Sequence, residues 1–120
     1  DVLYPKDGII VHTNHFLSPR LPKSPRKDTT KYKLTDSFIR LGHADRLIRK
    51  KGINIDENDI IQILKDHVEY PNSICRHNNE KIDEGLRMGT IFSMIVNLTQ
   101  GKILFCDGNP CENDYKEYRI

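Results

Sequence analysis

The 120-residue chain has no long hydrophobic run: its longest apolar stretch, Ile91 to Val96, is interrupted by Ser93. That is far short of the roughly 18 apolar residues that cross a bilayer as a helix, so a helical membrane span is excluded and no membrane partner is expected. Cysteine is scarce, and Cys75, Cys106 and Cys111 form an odd set without CxxC spacing. Neither a disulfide framework nor a zinc ribbon follows, and a reducing, cytoplasmic location is expected. The chain opens on Asp1 without a basic n-region or an apolar h-region, so no signal peptide is visible and the sequence reads as a piece of a longer protein. There is no internal repeat or heptad run. No Gly-x-Ser-x-Gly elbow or Ser-His-Asp order supports serine catalysis, and no Gly-rich loop cradles phosphate, so no cofactor is expected.

What is present suits one folded domain spanning 1–120 with polar loops, since 37% hydrophobic against 30% charged residues is too apolar for disorder. The net charge of +2 hides an asymmetry: residues 1–52 carry 12 Lys/Arg and 5 Asp/Glu, whereas residues 53–120 carry 7 and 12. Much of the positive charge lies in 18–33, where Pro19, Pro22 and Pro25 accompany six Lys/Arg, the composition of an exposed basic loop.

Ile9–Phe16 is apolar and β-branched enough to predict a buried strand. Helical spacing of Phe38, Leu41, Ala44 or Asp45, and Ile48 predicts a helix from Thr35 or Asp36 to about Lys51. A second helix starts at Asp56, where Asp56 and Asp59 have capping-box spacing, Ile55 can staple onto Ile60, and Ile60, Ile61, Ile63, Leu64 and Val68 form the core stripe. Strands are predicted over Thr90–Leu98, Lys102–Asp107 and Tyr115–Ile120. The first of these is apolar on both faces, so its sheet needs a layer on each side, and two helices cover only one. The chain is thus expected to be α+β, a mainly antiparallel sheet with two helices on one face. The uncovered face is expected to make the isolated 120-mer self-associate or be marginally stable.

The order His12-Thr13-Asn14-His15-Phe16, Asp36-Ser37-Phe38-Ile39-Arg40-Leu41, Ser73-Ile74-Cys75-Arg76-His77, a Thr90-x-Phe92-Ser93 strand and Gly108-Asn109-Pro110 resembles one family over nearly its whole length. That family is the acyl-coenzyme A:6-aminopenicillanic acid acyltransferase-like group of cysteine N-terminal-nucleophile (Ntn) hydrolases, of which this chain resembles the C-terminal part. The resemblance implies a four-layer αββα sandwich and a precursor that cleaves itself before a cysteine. The new N-terminal Cys is the nucleophile and its own α-amino group the base. This cysteine is expected upstream of Asp1, on the N-terminal part of the same protein, with a small N-acyl amide or acyl-coenzyme A as substrate. Cys75, Cys106 and Cys111 lack a free α-amino group and are not expected to be the nucleophile.

Asn14 offers a neutral N–H donor suited to an oxyanion, and the resemblance gives an Asn in such a segment that role. Arg40 has two readings: an i,i+4 ion pair with Asp36 or, as the resemblance implies, a residue that orients the substrate or braces an acidic partner. Arg76 can hold a carboxylate in bidentate geometry, and the alternative is a structural ion pair. His15, Phe16 and Ser73 border the implied site as substrate-binding residues. No metal site is expected: His12 and His15, three apart on a strand, point to opposite faces. The rival reading is a basic module that contacts nucleic acid or an anionic surface through the 18–33 loop. With Tyr32 its only aromatic, the loop lacks stacking platforms, which argues against nucleic acid. A third reading is a structural cap on a larger assembly.

Overall fold

The computed structural model describes residues 2–18 and 36–120, so the basic 18–33 loop, apart from Ser18, lies outside the described residues. The chain divides into two compact units, Asp1–Leu47 and Ile48–Ile120.

The first unit begins with a tight turn. Lys6 and Ile9 exchange backbone hydrogen bonds of 2.9 and 3.0 Å around Asp7 and Gly8, whose φ values of 53° and 74° are those of a type I′ turn. The strand expected over Ile9–Phe16 is not formed: Ile9 makes an isolated bridge and residues 10–18 are irregular. β-branched composition favours an extended chain, but a strand also needs a neighbour to complete its ladder. Here Thr13, Asn14 and His15 bond instead to the start of the first helix. That helix, α1 (Asp36–Lys51), has Asp36 in its first turn and Arg49, Lys50 and Lys51 in its last, so charge at both ends opposes the helix dipole.

In the second unit a 3₁₀ turn (Gly52–Asn54) leads into α2 (Glu57–Leu64). The expected capping box is present: Asp56 Oδ1 accepts from the Asp59 backbone N–H at 2.8 Å, and Asp59 Oδ2 accepts from Asp56 N–H at 3.3 Å. Ile60, Ile61, Ile63 and Leu64 are half-buried, whereas Val68, beyond the end of the helix, is exposed and drops out of the stripe. Strands β1 (Phe92–Asn97), β2 (Lys102–Asp107) and β3 (Lys116–Arg119) form an antiparallel meander of order β1-β2-β3. The fold class is α+β.

Side-chain alternation splits this sheet into two unlike faces. Ser93 and Ile95 on β1 are buried, with Cys106 paired opposite Ser93, and α2 packs against β1. The other face carries Phe92, Met94 and Val96, which remain 55%, 49% and 45% exposed, beside Phe105 and Ile103 in register. The Phe92 and Phe105 rings stack there at 5.6 Å. The two-sided apolar pattern of β1 is therefore real, and one side of it is open.

Glu57 fastens α2 to the sheet. Its Oε1 accepts from Asn97 Nδ2 at 2.6 Å and its Oε2 meets Lys102 Nζ at 2.8 Å. The hydrogen bond from Lys102, followed by that from Asn97, lowers the Glu57 carboxyl below its ordinary value. A depressed carboxyl contributes stability above its unfolded value, about 4.3, and loses it as pH falls through the lower folded value. Glu57→Gln is therefore expected to unfold at a lower temperature than the parent at pH 7, with the gap closing in acid. An equal gap at every pH in thermal melts would contradict this linkage.

Candidate functional site

In the first unit, Ser37 is the hub of the local structure. It is fully buried at the start of α1, and its Oγ accepts the Asn14 backbone N–H at 3.0 Å. The same hydroxyl lies 2.8 Å from His15 Nδ1 and 3.1 Å from Thr13 Oγ1, and Thr13 Oγ1 donates to the Ser37 carbonyl at 2.9 Å. His15 is 3% exposed and stacks on Phe38, with ring centroids 3.7 Å apart. Both members of the Ser37–His15 pair are buried, and their hydrogen bonds tie the Thr13–His15 segment to the start of α1.

Asn14 projects from that fixed backbone onto the surface, and Arg40 Nη2 donates to its Oδ1 at 2.6 Å. Arg40 Nε and Nη2 both lie 3.3 Å from Asp36 Oδ2. The i,i+4 pair of Arg40 with Asp36 is present, and the same guanidinium also holds the Asn14 carboxamide. With Oδ1 engaged by a cation, the other end of the amide is the Nδ2 donor. Phe16 is exposed two residues away.

In the second unit, Ser73 is fully buried, and its hydroxyl donates to the Cys75 carbonyl at 2.6 Å. Arg76 is half-buried, and its Nη2 donates to Asn72 Oδ1 at 2.8 Å. Its backbone is pinned on both sides: Arg76 N–H donates to Thr90 Oγ1 at 2.9 Å, and its carbonyl accepts from Thr90 N–H at 2.8 Å and Asn109 Nδ2 at 2.9 Å. The loop that carries it closes on itself through Cys75 N–H to Asp66 O, 3.0 Å, and His77 N–H to Pro71 O, 2.9 Å.

This loop also assembles a cluster that the sequence did not suggest. The donor atoms of His67, Cys75, His77 and Cys111 lie within 4.8 Å of one another. All three cysteines are free thiols. Burial, then the hydrogen bond with Cys75, pushes the Cys111 thiol up to about 11, and burial also raises Cys106. Thiols so raised are poor nucleophiles at neutral pH. A visible signal was the density of His67, Cys75 and His77 within one short segment; the fourth member, Cys111, comes from beyond β2, and no fixed spacing announces it.

A family model described as acyl-coenzyme A:6-aminopenicillanic acid acyl-transferase matches residues 2–112. No curated protein matches the chain. No helix among the described residues is long and apolar enough to cross a membrane.

Removing the Ser37 hydroxyl strands the Asn14 N–H and the buried His15 ring. Ser37→Ala is expected to destabilise the protein by about 1–3 kcal/mol, the usual cost of unsatisfied buried polar groups. Denaturant unfolding checks this, and an unchanged midpoint would remove Ser37 as the hub.

Proposed function

The chain belongs to the acyl-coenzyme A:6-aminopenicillanic acid acyl-transferase family, and from that premise we propose that it is the C-terminal portion of an Ntn-type enzyme that cleaves or transfers an acyl group on an amide. An upstream N-terminal cysteine, exposed by self-cleavage, supplies the nucleophile, and its α-amino group takes the thiol proton. The thiolate attacks the acyl carbonyl, and the amine leaves with a proton from that same amino group. Water or a second amine then releases the acyl group from the thioester.

The observation that supports this reading is the held Asn14 carboxamide. An oxyanion hole needs a donor whose orientation is set before charge develops, so that none of the stabilisation is lost to reorganisation. Arg40 on Oδ1 and Ser37 behind the backbone N–H meet that need from two sides. In this reading Asn14 is catalytic and Arg40 is a positioning residue backed by Asp36. Exposed Phe16 offers apolar surface to an acyl chain. Buried His15 and Ser73 act through the segments they brace. The open apolar face of the meander is the surface that a second sheet covers in an αββα sandwich.

Asn14→Ala in the full-length protein is expected to lower kcat on N-acyl amides or in acyl transfer by about 10²–10³, with circular dichroism and melting temperature preserved. Full turnover in that variant would take Asn14 out of the site.

A further inference from the structure

The acyl-transfer reading gives no task to the cluster of two thiols and two imidazoles. We propose that His67, Cys75, His77 and Cys111 bind one Zn²⁺ ion in a closed, structural Cys₂His₂ site.

Four distances carry the inference. His67 Nε2 lies 3.1 Å from His77 Nε2, Cys75 Sγ lies 3.4 Å from Cys111 Sγ, and His77 Nε2 lies 3.3 Å from Cys111 Sγ and 3.7 Å from Cys75 Sγ. Bonds of about 2.3 Å to sulfur and about 2.0–2.1 Å to nitrogen, at tetrahedral angles, give edges of about 3.8 Å between sulfurs, about 3.3 Å between nitrogens and about 3.6 Å between unlike donors. These four separations fall within a few tenths of an ångström of those edges, and the two remaining ones, from His67 to the sulfurs, are no longer than 4.8 Å.

The donors also converge in a way that hydrogen bonding does not satisfy. His77 Nε2 faces three of them, His67, Cys75 and Cys111. One ring nitrogen carries either a single proton or a single lone pair and so serves one such partner well. A cation at the common centre serves all four at once. Two soft thiolates with two imidazoles suit zinc, and four protein ligands leave no open position for water, which makes the site structural. A bound divalent ion also holds its coordinating thiols deprotonated, reversing the effect of burial.

One ligand has a hydrogen-bonded outer partner, and a carboxylate stands near another. His77 directs Nε2 at the cluster while its Nδ1 lies 3.7 Å from Glu112 Oε1. Asn109 Nδ2 donates to Cys75 Sγ at 3.4 Å. A carboxylate behind a ligating imidazole and a donor on a ligating sulfur orient ligands and tune their basicity. The ligands come from the loop after α2 and from the turn after β2, so one ion would clamp the 66–77 loop to the end of the sheet.

The full chain, purified under reducing conditions and dialysed against Zn²⁺, tests the site. Elemental analysis is expected to give one zinc per chain, and Co²⁺ in its place should show the absorption of a tetrahedral, thiolate-ligated ion. Cys111→Ser and His67→Ala are expected to weaken Zn²⁺ binding by about 100-fold or more, Glu112→Gln by about 10–100-fold, and Cys106→Ser, which lies outside the cluster, not at all. Should the ligand variants fail to fold, alkylation of the unaltered chain still decides: zinc should protect Cys75 and Cys111, and a chelator should expose them. Absence of stoichiometric zinc, an octahedral cobalt spectrum, or a Cys75–Cys111 disulfide formed in place of metal binding would overturn the proposal.

Discussion

An antiparallel meander with apolar residues on both faces must find two coverings, and the eight-residue α2 supplies part of one. That constraint governs the second unit. Ile95, Ser93 and Cys106 are drawn to the α2 side, where Glu57 ties the helix to Asn97 and Lys102. Phe92, Met94 and Val96 are left half-exposed on the opposite side. So much apolar area on one sheet face is a surface suited to association. A second sheet fits it in the acyltransferase reading, and self-association is the expected outcome where none is supplied.

Small polar residues hold the segments that carry the candidate site side chains. Ser37 and Thr13 fix the segment that presents Asn14, and Arg40 sets the orientation of its carboxamide. In the second unit, Thr90 and Asn109 pin the backbone of Arg76 while the 66–77 loop closes through its own carbonyls. Both arrangements place a donor side chain on a backbone held by hydrogen bonds. The proposed zinc site would add a further hold on the 66–77 loop.

Sequence patterning reveals what depends on local rules. α1, the Asp56–Asp59 capping box and the three strands of the meander are readable because cap chemistry, dipole-matched charge and alternation act over a few residues. The segment Ile9–Phe16 misleads because strand formation is decided by a partner, and its polar side chains prefer the start of α1. Val68 fails for a similar reason: the helix ends at Leu64, so the period that placed it in the stripe no longer applies. Asn14 and Arg40 are recognisable as site candidates separately, but their 2.6 Å bond joins residues 26 apart in the chain. The His/Cys cluster is hidden further still, since its members become neighbours only when the loop after α2 meets the turn after β2.

The central claim is that a self-processed cysteine upstream of this chain performs acyl chemistry with Asn14 as oxyanion donor. N-terminal sequencing with intact mass, on the product of the complete gene, tests it most directly. The account predicts two chains, the second beginning with cysteine and containing this 120-residue segment. A single uncut chain with full acyl-transfer activity would contradict it.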